Sequence, residues 1–143
     1  MNKTEFINLT YNTETDLTES DISEDLIQSI KYVGPLAYYI GWDVHKTIEA
    51  LSYFEKVNIK GAVAGTSLRF ILMRLADLDK GLAIKYLDVY SIFDFEVDPR
   101  YNTFPEILNV FSSRNVSEDH IYKIFGRTGE AFWELMKAHE VVK

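Results

Sequence analysis

The sequence contains no cysteine, so disulfide bonds, thiolate metal sites and cysteine nucleophiles are excluded within this chain. Only three of its 143 residues are proline, and no apolar run approaches the ~18 residues that a membrane-spanning helix requires. Residues 1–16 have no apolar segment followed by a small-residue cleavage site. We therefore predict neither a membrane span nor a secretory signal.

Positive charge is scarce, since 15 Lys and Arg stand against 22 Asp and Glu and give a formal net charge of −7. Affinity for nucleic acids depends on clustered Lys and Arg, so we predict no nucleic-acid partner. Seven of the acids, but only one base, lie in the first 25 residues. This composition predicts an acidic, flexible arm over residues 1–19, followed by a single helical domain over residues 20–143.

Sequence motifs of catalysis and metal binding are also absent. The patterns G-x-G-x-x-G, H-E-x-x-H and G-x-S-x-G do not occur, and His45, His120 and His139 are scattered along the chain. We predict no catalytic residue, no metal site and no cofactor, and we expect that the protein is not an enzyme.

Apolar residues at helical spacing predict a mainly α, compact multi-helix domain. Ser20 or Asp21, then Asp43, and later Ser117 are suited to be helix N-caps, while Pro105 suits the first turn of a helix. The period changes at VYSIFDF, residues 89–95, which is β-branched and aromatic. This stretch predicts one small β-hairpin over about residues 89–104.

The stretch GAVAGTS, residues 61–67, has little side-chain volume at the start of a predicted helix from about 61 to 76. A P-loop would place its second glycine one residue later and follow it with lysine, so a phosphate site is disfavoured. Close packing of Gly61 and Gly65 against a neighbouring helix is the favoured interpretation, with a ligand role as the alternative. The chain also carries more aromatic residues than its core requires, and some are expected to be exposed as anchors for a protein partner. The set comprises Tyr38, Tyr39, Trp42, Tyr53, Phe54, Tyr86, Tyr90, Phe93, Phe95, Tyr101, Phe104, Phe132 and Trp133.

Over about residues 30–136 the chain resembles the conserved minor-tail domain of phage tail tape measure proteins. Its segment KVNIKGAVAGTSLRFILMRLADLDK corresponds to the family block NAGIKGxxAGTxLRxxLxRLADP. FPEIL and FGRTGEA, further along the chain, resemble the family's LPEIL and FGREA helices. A helix of 143 residues would span only about 215 Å at ~1.5 Å per residue, so the chain is either one domain of a longer ruler or a short relative.

The resemblance implies a non-enzymatic phage or prophage structural protein, located in the virion tail or the bacterial host cytoplasm. The implied partners are tail-tip or tail-tube proteins, or further copies of the chain in a three-fold or six-fold arrangement. An alternative is a small accessory or interference protein, from a mobile element or a host, that mimics this domain to regulate or sense tail assembly. The residues expected to make protein contacts are Lys60, Gly61, Gly65, Arg69, Arg74, Gly126 and Arg127. For each arginine, an ion pair with nearby acids is an equally favoured interpretation.

Overall fold

The computed structural model describes residues 2–12, 17–18, 22–76 and 80–142, without the side chains of 80–82 and 140–142. These residues are mainly helical. The helices are α1 Lys3–Tyr11, α2 Glu24–Tyr39, α3 Val44–Lys56, α4 Gly61–Leu75, α5 Lys80–Val89, α6 Phe104–Ser113, α7 Glu118–Phe125 and α8 Gly129–Val142. Short 3-10 turns occur at Asp94–Glu96 and Gly126–Thr128. The chain forms two compact units, Met1–Arg69 (unit 1) and Phe70–Lys143 (unit 2).

Short polar side chains fix where several helices begin. The predicted cap Asp43 accepts a hydrogen bond from the Lys46 N–H at 2.8 Å, and the predicted cap Ser117 accepts one from the His120 N–H at 3.2 Å. Ser23 caps α2, whereas the predicted caps Ser20 and Asp21 lie outside the described residues. Each cap satisfies a backbone donor that the helix leaves unpaired, so the helix boundaries follow from local chemistry.

In unit 1, helix α1 packs on α2. A Cβ atom at Gly34 would lie 2.5 Å from the Thr10 methyl group, so the two helices approach closely at this point. Ile7 and Tyr11 of α1 are buried. Within the segment predicted to be an acidic arm, residues 3–11 form helix α1 with two buried side chains, while residues 1, 13–16 and 19 lie outside the described part.

The core of unit 2 is a cluster of phenylalanine side chains from α6, α7 and α8. The Phe132 ring lies 4.9 Å from Phe111 and 4.4 Å from Phe125, measured between centroids, and all three are fully buried. Burying a large aromatic side chain contributes about 1.5–3 kcal/mol, so these contacts dominate the packing of the three helices. Trp42 is buried in unit 1, and Trp133 on α8 is half-buried in unit 2.

The predicted β-hairpin over residues 89–104 is wrong, because the described residues contain no β-strand. Helix α5 extends to Val89, Asp94–Glu96 is a 3-10 turn, and α6 begins at Phe104. Ser91 adopts a left-handed conformation with φ +57°, which interrupts any extended strand at this position. The β-branched and aromatic side chains of this segment led to the prediction of strands. In the structure, they belong to an irregular loop.

Candidate protein interface

An irregular segment connects α5 and α6, and this segment together with the last residue of α5, residues 89–103, is here called the aromatic loop. Ile92 and Val97 are almost fully buried and attach the loop to unit 2. Phe93 and Phe95, which lie between them in the sequence, are 67% and 59% exposed, and Tyr101 is 74% exposed. The apolar side chains of the loop thus form two sets: an inner set that is buried and anchors the loop, and an outer set that is exposed to water.

The Arg114 side chain, at the C-terminal end of α6, holds one end of the aromatic loop. Its Nη1 donates to the carbonyl oxygens of Tyr90 at 3.1 Å and Ser91 at 2.6 Å, and its Nη2 donates to Glu96 Oε1 at 3.1 Å. The other Glu96 carboxylate oxygen accepts from the Phe93 N–H at 2.8 Å. Two backbone carbonyls and one backbone N–H are therefore satisfied by side chains rather than by a neighbouring strand.

Asp98 holds the other end of the aromatic loop from a buried position, with 1% of its surface exposed. Its carboxylate accepts from the Arg100 N–H at 2.9 Å, from Nε at 3.1 Å and from Nη2 at 2.7 Å. The Asn102 amide donates to the carbonyl oxygens of Phe95 at 2.7 Å and Asp98 at 3.0 Å. A bidentate pair between arginine and carboxylate is geometrically specific, so this end of the loop has a defined conformation.

The outer side chains form an exposed aromatic surface. The Phe93 and Phe95 rings stack with centroids 5.8 Å apart and planes inclined by 11°. Arg100 lies over the Tyr101 ring at 5.9 Å from its centroid, and Val89 is 64% exposed. Aromatic side chains held rigidly in water are typical of protein interfaces, because their burial gives a large gain in free energy at a small entropic cost.

Among the predicted contact residues in unit 1, Gly65 is a packing residue. A Cβ atom at Gly65 would lie 2.3 Å from the Ser29 carbonyl oxygen, so α4 touches the backbone of α2 there. The Ser29 hydroxyl also donates to the Gly61 carbonyl oxygen at 2.7 Å. The favoured interpretation of the small residues, close packing against a neighbouring helix, agrees with this geometry.

Lys60 and Gly61 line a cleft of about 240 Å³ in unit 1, between α2, α3 and the start of α4. Leu26 and Leu51 contribute apolar surface, and the remaining lining residues are Ser23, Asp25, Ser29, Ile48, Ser52, Glu55, Ile59 and Ala64. The cleft combines two carboxylates, one ammonium group and three hydroxyls with apolar side chains. The cleft differs from a phosphate cradle because its carboxylates outnumber its cation.

The remaining predicted residues are spread over both units. Arg69 on α4 and Arg127 in the second 3-10 turn are exposed, and neither makes an ion pair with a residue that the structure describes. Arg74 lies over the Phe70 ring, 4.9 Å from its centroid. Gly126 is exposed with φ +61° and ψ −136°, a conformation that favours glycine. Lys60, Gly61, Gly65 and Arg69 belong to unit 1, and the other three residues belong to unit 2.

Further potential sites are few in the described residues. No cluster of three or more His, Cys, Asp or Glu side chains there could hold a metal ion, and no helix there is long and apolar enough to cross a bilayer. A second depression, of about 270 Å³, lies beside Trp133 and is lined also by Met136 and Lys137. The aromatic loop is therefore the strongest candidate for a functional surface.

The fold and the loop define a mainly helical protein with an exposed aromatic surface. No protein-family model and no solved structure matches the chain. The chain is similar to the tape measure protein of Pneumococcus phage Dp-1, with 33% identity over 60 residues. This match covers 42% of the chain and 5% of the phage protein, so the similarity concerns a small part of that protein.

Proposed function

We propose that the chain is a non-enzymatic structural protein of a phage tail, and that it acts by binding other tail proteins. The single observation that best supports binding is the aromatic loop, in which Phe93, Phe95 and Tyr101 are exposed on a segment fixed by Arg114 and Asp98. The partial similarity to a phage tape measure protein supports the tail as the setting.

The energetics of the aromatic loop favour a protein partner. Covering one exposed phenylalanine contributes about 1.5–3 kcal/mol. The side chains of Arg114, Asp98 and Asn102 already hold the backbone, so little conformational entropy is lost on binding. Phe93 and Phe95 would then be the central contacts, which is the pattern of interface hot spots.

The predicted contact residues of unit 1 provide a second surface for test. Lys60 lines the cleft beside α4, and Arg69 is exposed on the same helix. A charged residue at the edge of an interface affects the association rate and its salt dependence more than the affinity. We expect Lys60→Ala and Arg69→Ala to slow association with a tail partner modestly.

The test is capture of tail-tube and tail-tip proteins, encoded by the same genome, on the tagged chain. We expect the double variant Phe93→Ser/Phe95→Ser to weaken capture at least tenfold. A matched control is Tyr39→Ser, which changes a side chain that is 79% exposed on α2. Unfolding curves of both variants establish that they fold.

Three outcomes would contradict the proposal. The unaltered chain could capture no tail protein, the double variant could capture as well as the unaltered chain, or the neighbouring genes could encode defence or satellite functions. The last outcome would favour an accessory protein that regulates tail assembly.

Light scattering of the purified chain tests self-association, for which a three-fold or six-fold mass is expected.

A further inference from the structure

We infer that the aromatic loop binds a cationic partner segment that presents arginine side chains to its ring faces. This inference rests on the proposed function, because it names the chemistry of the partner that the same surface would bind. It depends on the charges around the loop and on the arrangement of the two stacked rings.

Carboxylates dominate the charge of the aromatic loop. It contains Asp94, Glu96 and Asp98 but only one cation, Arg100, and Asp88 directly precedes it. Asp98 pairs with Arg100 at 2.7 Å and Glu96 pairs with Arg114 at 3.1 Å, so these four groups add no net charge to the surface. The excess of negative charge comes from Asp88 and Asp94. A partner with positive charge is favoured by Coulomb attraction, and the net charge of −7 on the whole chain acts in the same direction.

Two neighbouring cations, Arg114 and Lys85, are engaged with groups of the chain itself, and Arg114 neutralises one carboxylate of the loop. Arg114 pairs with Glu96 at 3.1 Å, and the Lys85 ammonium lies over the Tyr86 ring, 4.9 Å from its centroid. Asp88 is exposed beside Val89 and makes no ion pair with any residue in the described part of the chain. Its carboxylate is therefore open to a cation that a partner brings.

The rings themselves favour arginine among cations. The Phe93 and Phe95 rings lie nearly parallel with centroids 5.8 Å apart, and their exposures of 67% and 59% leave much of the ring surface in water. Ring faces carry negative partial charge, and a planar guanidinium group stacks on them better than an ammonium group does. Arg100 over Tyr101 shows this contact within the same loop.

A second copy of the chain that binds through its own aromatic loop fits this surface poorly. A two-fold symmetric contact would place the aromatic loop of one copy against that of another and would bring the Asp88 carboxylates and the other acids of both loops together. Like charges at an interface oppose association. The surface is thus better suited to a different protein segment that carries the opposite charge.

The experiment titrates three ten-residue peptides into the ¹⁵N-labelled full chain and follows the backbone amide signals. Each peptide has the same Gly-Ser-Leu framework, with three Arg, three Lys or three Glu. We expect the Arg peptide to shift signals of residues 89–103, the Lys peptide to bind more weakly, and the Glu peptide to have no effect. Equal binding of the Arg and Glu peptides, or shifts outside the loop only, would overturn the inference.

A double variant of the two phenylalanines tests whether binding of the Arg peptide depends on the ring faces or only on the exposed apolar area. Phe93→Leu/Phe95→Leu keeps the exposed apolar groups but removes the ring faces, and it is expected to weaken Arg-peptide binding by about threefold or more. Asp88→Asn is expected to weaken binding and reduce its salt dependence, whereas Glu49→Gln, an exposed change on α3, is the matched control. Unchanged binding in both loop variants would contradict the inference.

The failures of the two proposals differ. If the chain captures tail proteins but has no affinity for the Arg peptide, the inference of a cationic partner is refuted and the proposed function is not. Arg-peptide binding without any captured tail protein would refute the proposed function alone. The mass of the chain could instead rise with its concentration, and Phe93→Leu/Phe95→Leu could abolish that rise. This result would identify a second copy as the molecule that binds the aromatic loop, and it would overturn the inference.

Discussion

The Tyr90 phenol oxygen lies 2.6 Å from Nδ1 of His120, although 30 positions separate the two residues. The same oxygen accepts a hydrogen bond from the Ser117 N–H at 3.0 Å. The His120 ring also lies 5.5 Å from the Tyr86 ring, measured between centroids. These contacts attach the start of the aromatic loop to the first turn of α7.

Tyr90→Phe tests this attachment. The variant removes the phenol oxygen that binds Ser117 and His120, so we expect the free energy of unfolding to fall by about 1 kcal/mol. Urea unfolding measures the loss, and faster amide hydrogen exchange at Ser91 and Ile92 would show that the loop has loosened. Tyr101→Phe is the control, since that side chain is 74% exposed. An equal effect in both variants would contradict a structural role for the Tyr90 hydroxyl.

Arg100→Ala tests the other end of the aromatic loop. The buried Asp98 carboxylate would lose two of the donors that the Arg100 side chain supplies. Because that side chain is 38% exposed, water replaces it in part, and we expect a loss of about 1–2 kcal/mol in the free energy of unfolding. Arg100→Lys keeps the charge but lacks the planar fork, so its loss should be intermediate. A fully stable Arg100→Ala chain would show that the pair does not fix the loop.

Gly65→Ala tests the contact between α2 and α4. The new methyl group would meet the backbone carbonyl of Ser29, which cannot rotate away as a side chain can. Overpacking costs about 1–3 kcal/mol, and the better helix propensity of alanine returns at most about 1 kcal/mol. We therefore expect the free energy of unfolding to fall by about 1–2 kcal/mol.

The control for Gly65→Ala is Val63→Ala on the same helical turn. Val63 is 65% exposed, and its truncation is expected to change the free energy of unfolding by less than about 0.5 kcal/mol. Both variants are measured by urea unfolding. If Gly65→Ala were as stable as Val63→Ala, the two helices would not touch backbone to backbone.

Because the Tyr11 phenol is buried, we expect the folded chain to lose stability at alkaline pH. Burial raises the pKa of Tyr11 well above its ordinary value of 10.0, and Asp43 raises it further, while the Thr47 side chain lowers it in part. The folded chain then holds the phenol proton more tightly than the unfolded chain does. The resulting stability is fully present below about pH 9 and is lost as the pH rises through 10 towards the folded pKa.

At pH 11 this single group should cost about 1.4 kcal/mol relative to neutral pH, because the unfolded phenol is ionised and the folded one is not. Tyr11→Phe should therefore lose that much less stability between pH 8 and pH 11 than the unaltered chain. Tyr101→Phe, a change at a side chain that is 74% exposed, is the control. Parallel pH profiles for Tyr11→Phe and the unaltered chain would contradict the predicted shift.

Helix positions could be predicted because their determinants are local. Asp43 and Ser117 each bond a backbone N–H three residues ahead, and Pro105 lies in the first turn of α6. Such contacts depend on spacing that the sequence displays directly. Ser23, the observed cap of α2, lies close in sequence to the predicted caps, which is the usual uncertainty of a helix end.

The hairpin could not be rejected from the sequence because the contacts that replace it are distant. Arg114 reaches the carbonyl oxygens of Tyr90 and Ser91 across more than 20 positions, and it pairs with Glu96 across 18 positions. These side chains satisfy backbone groups that a second strand would otherwise bind. Intrinsic β-propensity is a weak preference, and tertiary contacts override it here.

Only one general feature of the sequence, its excess of aromatic residues, indicated an exposed aromatic surface. That excess identified Phe93, Phe95 and Tyr101 as candidates without separating them from buried residues such as Phe104. That Ile92 and Val97 are buried while the rings between them are exposed becomes visible only once the loop conformation is known. The small residues at 61–65 were more informative, since a glycine pair at a helix start favours close packing.

The chain has two tryptophans, and each unit contains one of them: Trp42 is buried in unit 1 and Trp133 is half-buried in unit 2. Replacing either indole by phenylalanine leaves a single fluorophore that reports on one unit. Coincident emission transitions from the two single-fluorophore chains would mean that the units unfold cooperatively, and separate midpoints would mean that they unfold independently. The natural distribution of indole rings thus makes the cooperativity of this chain measurable without any attached dye.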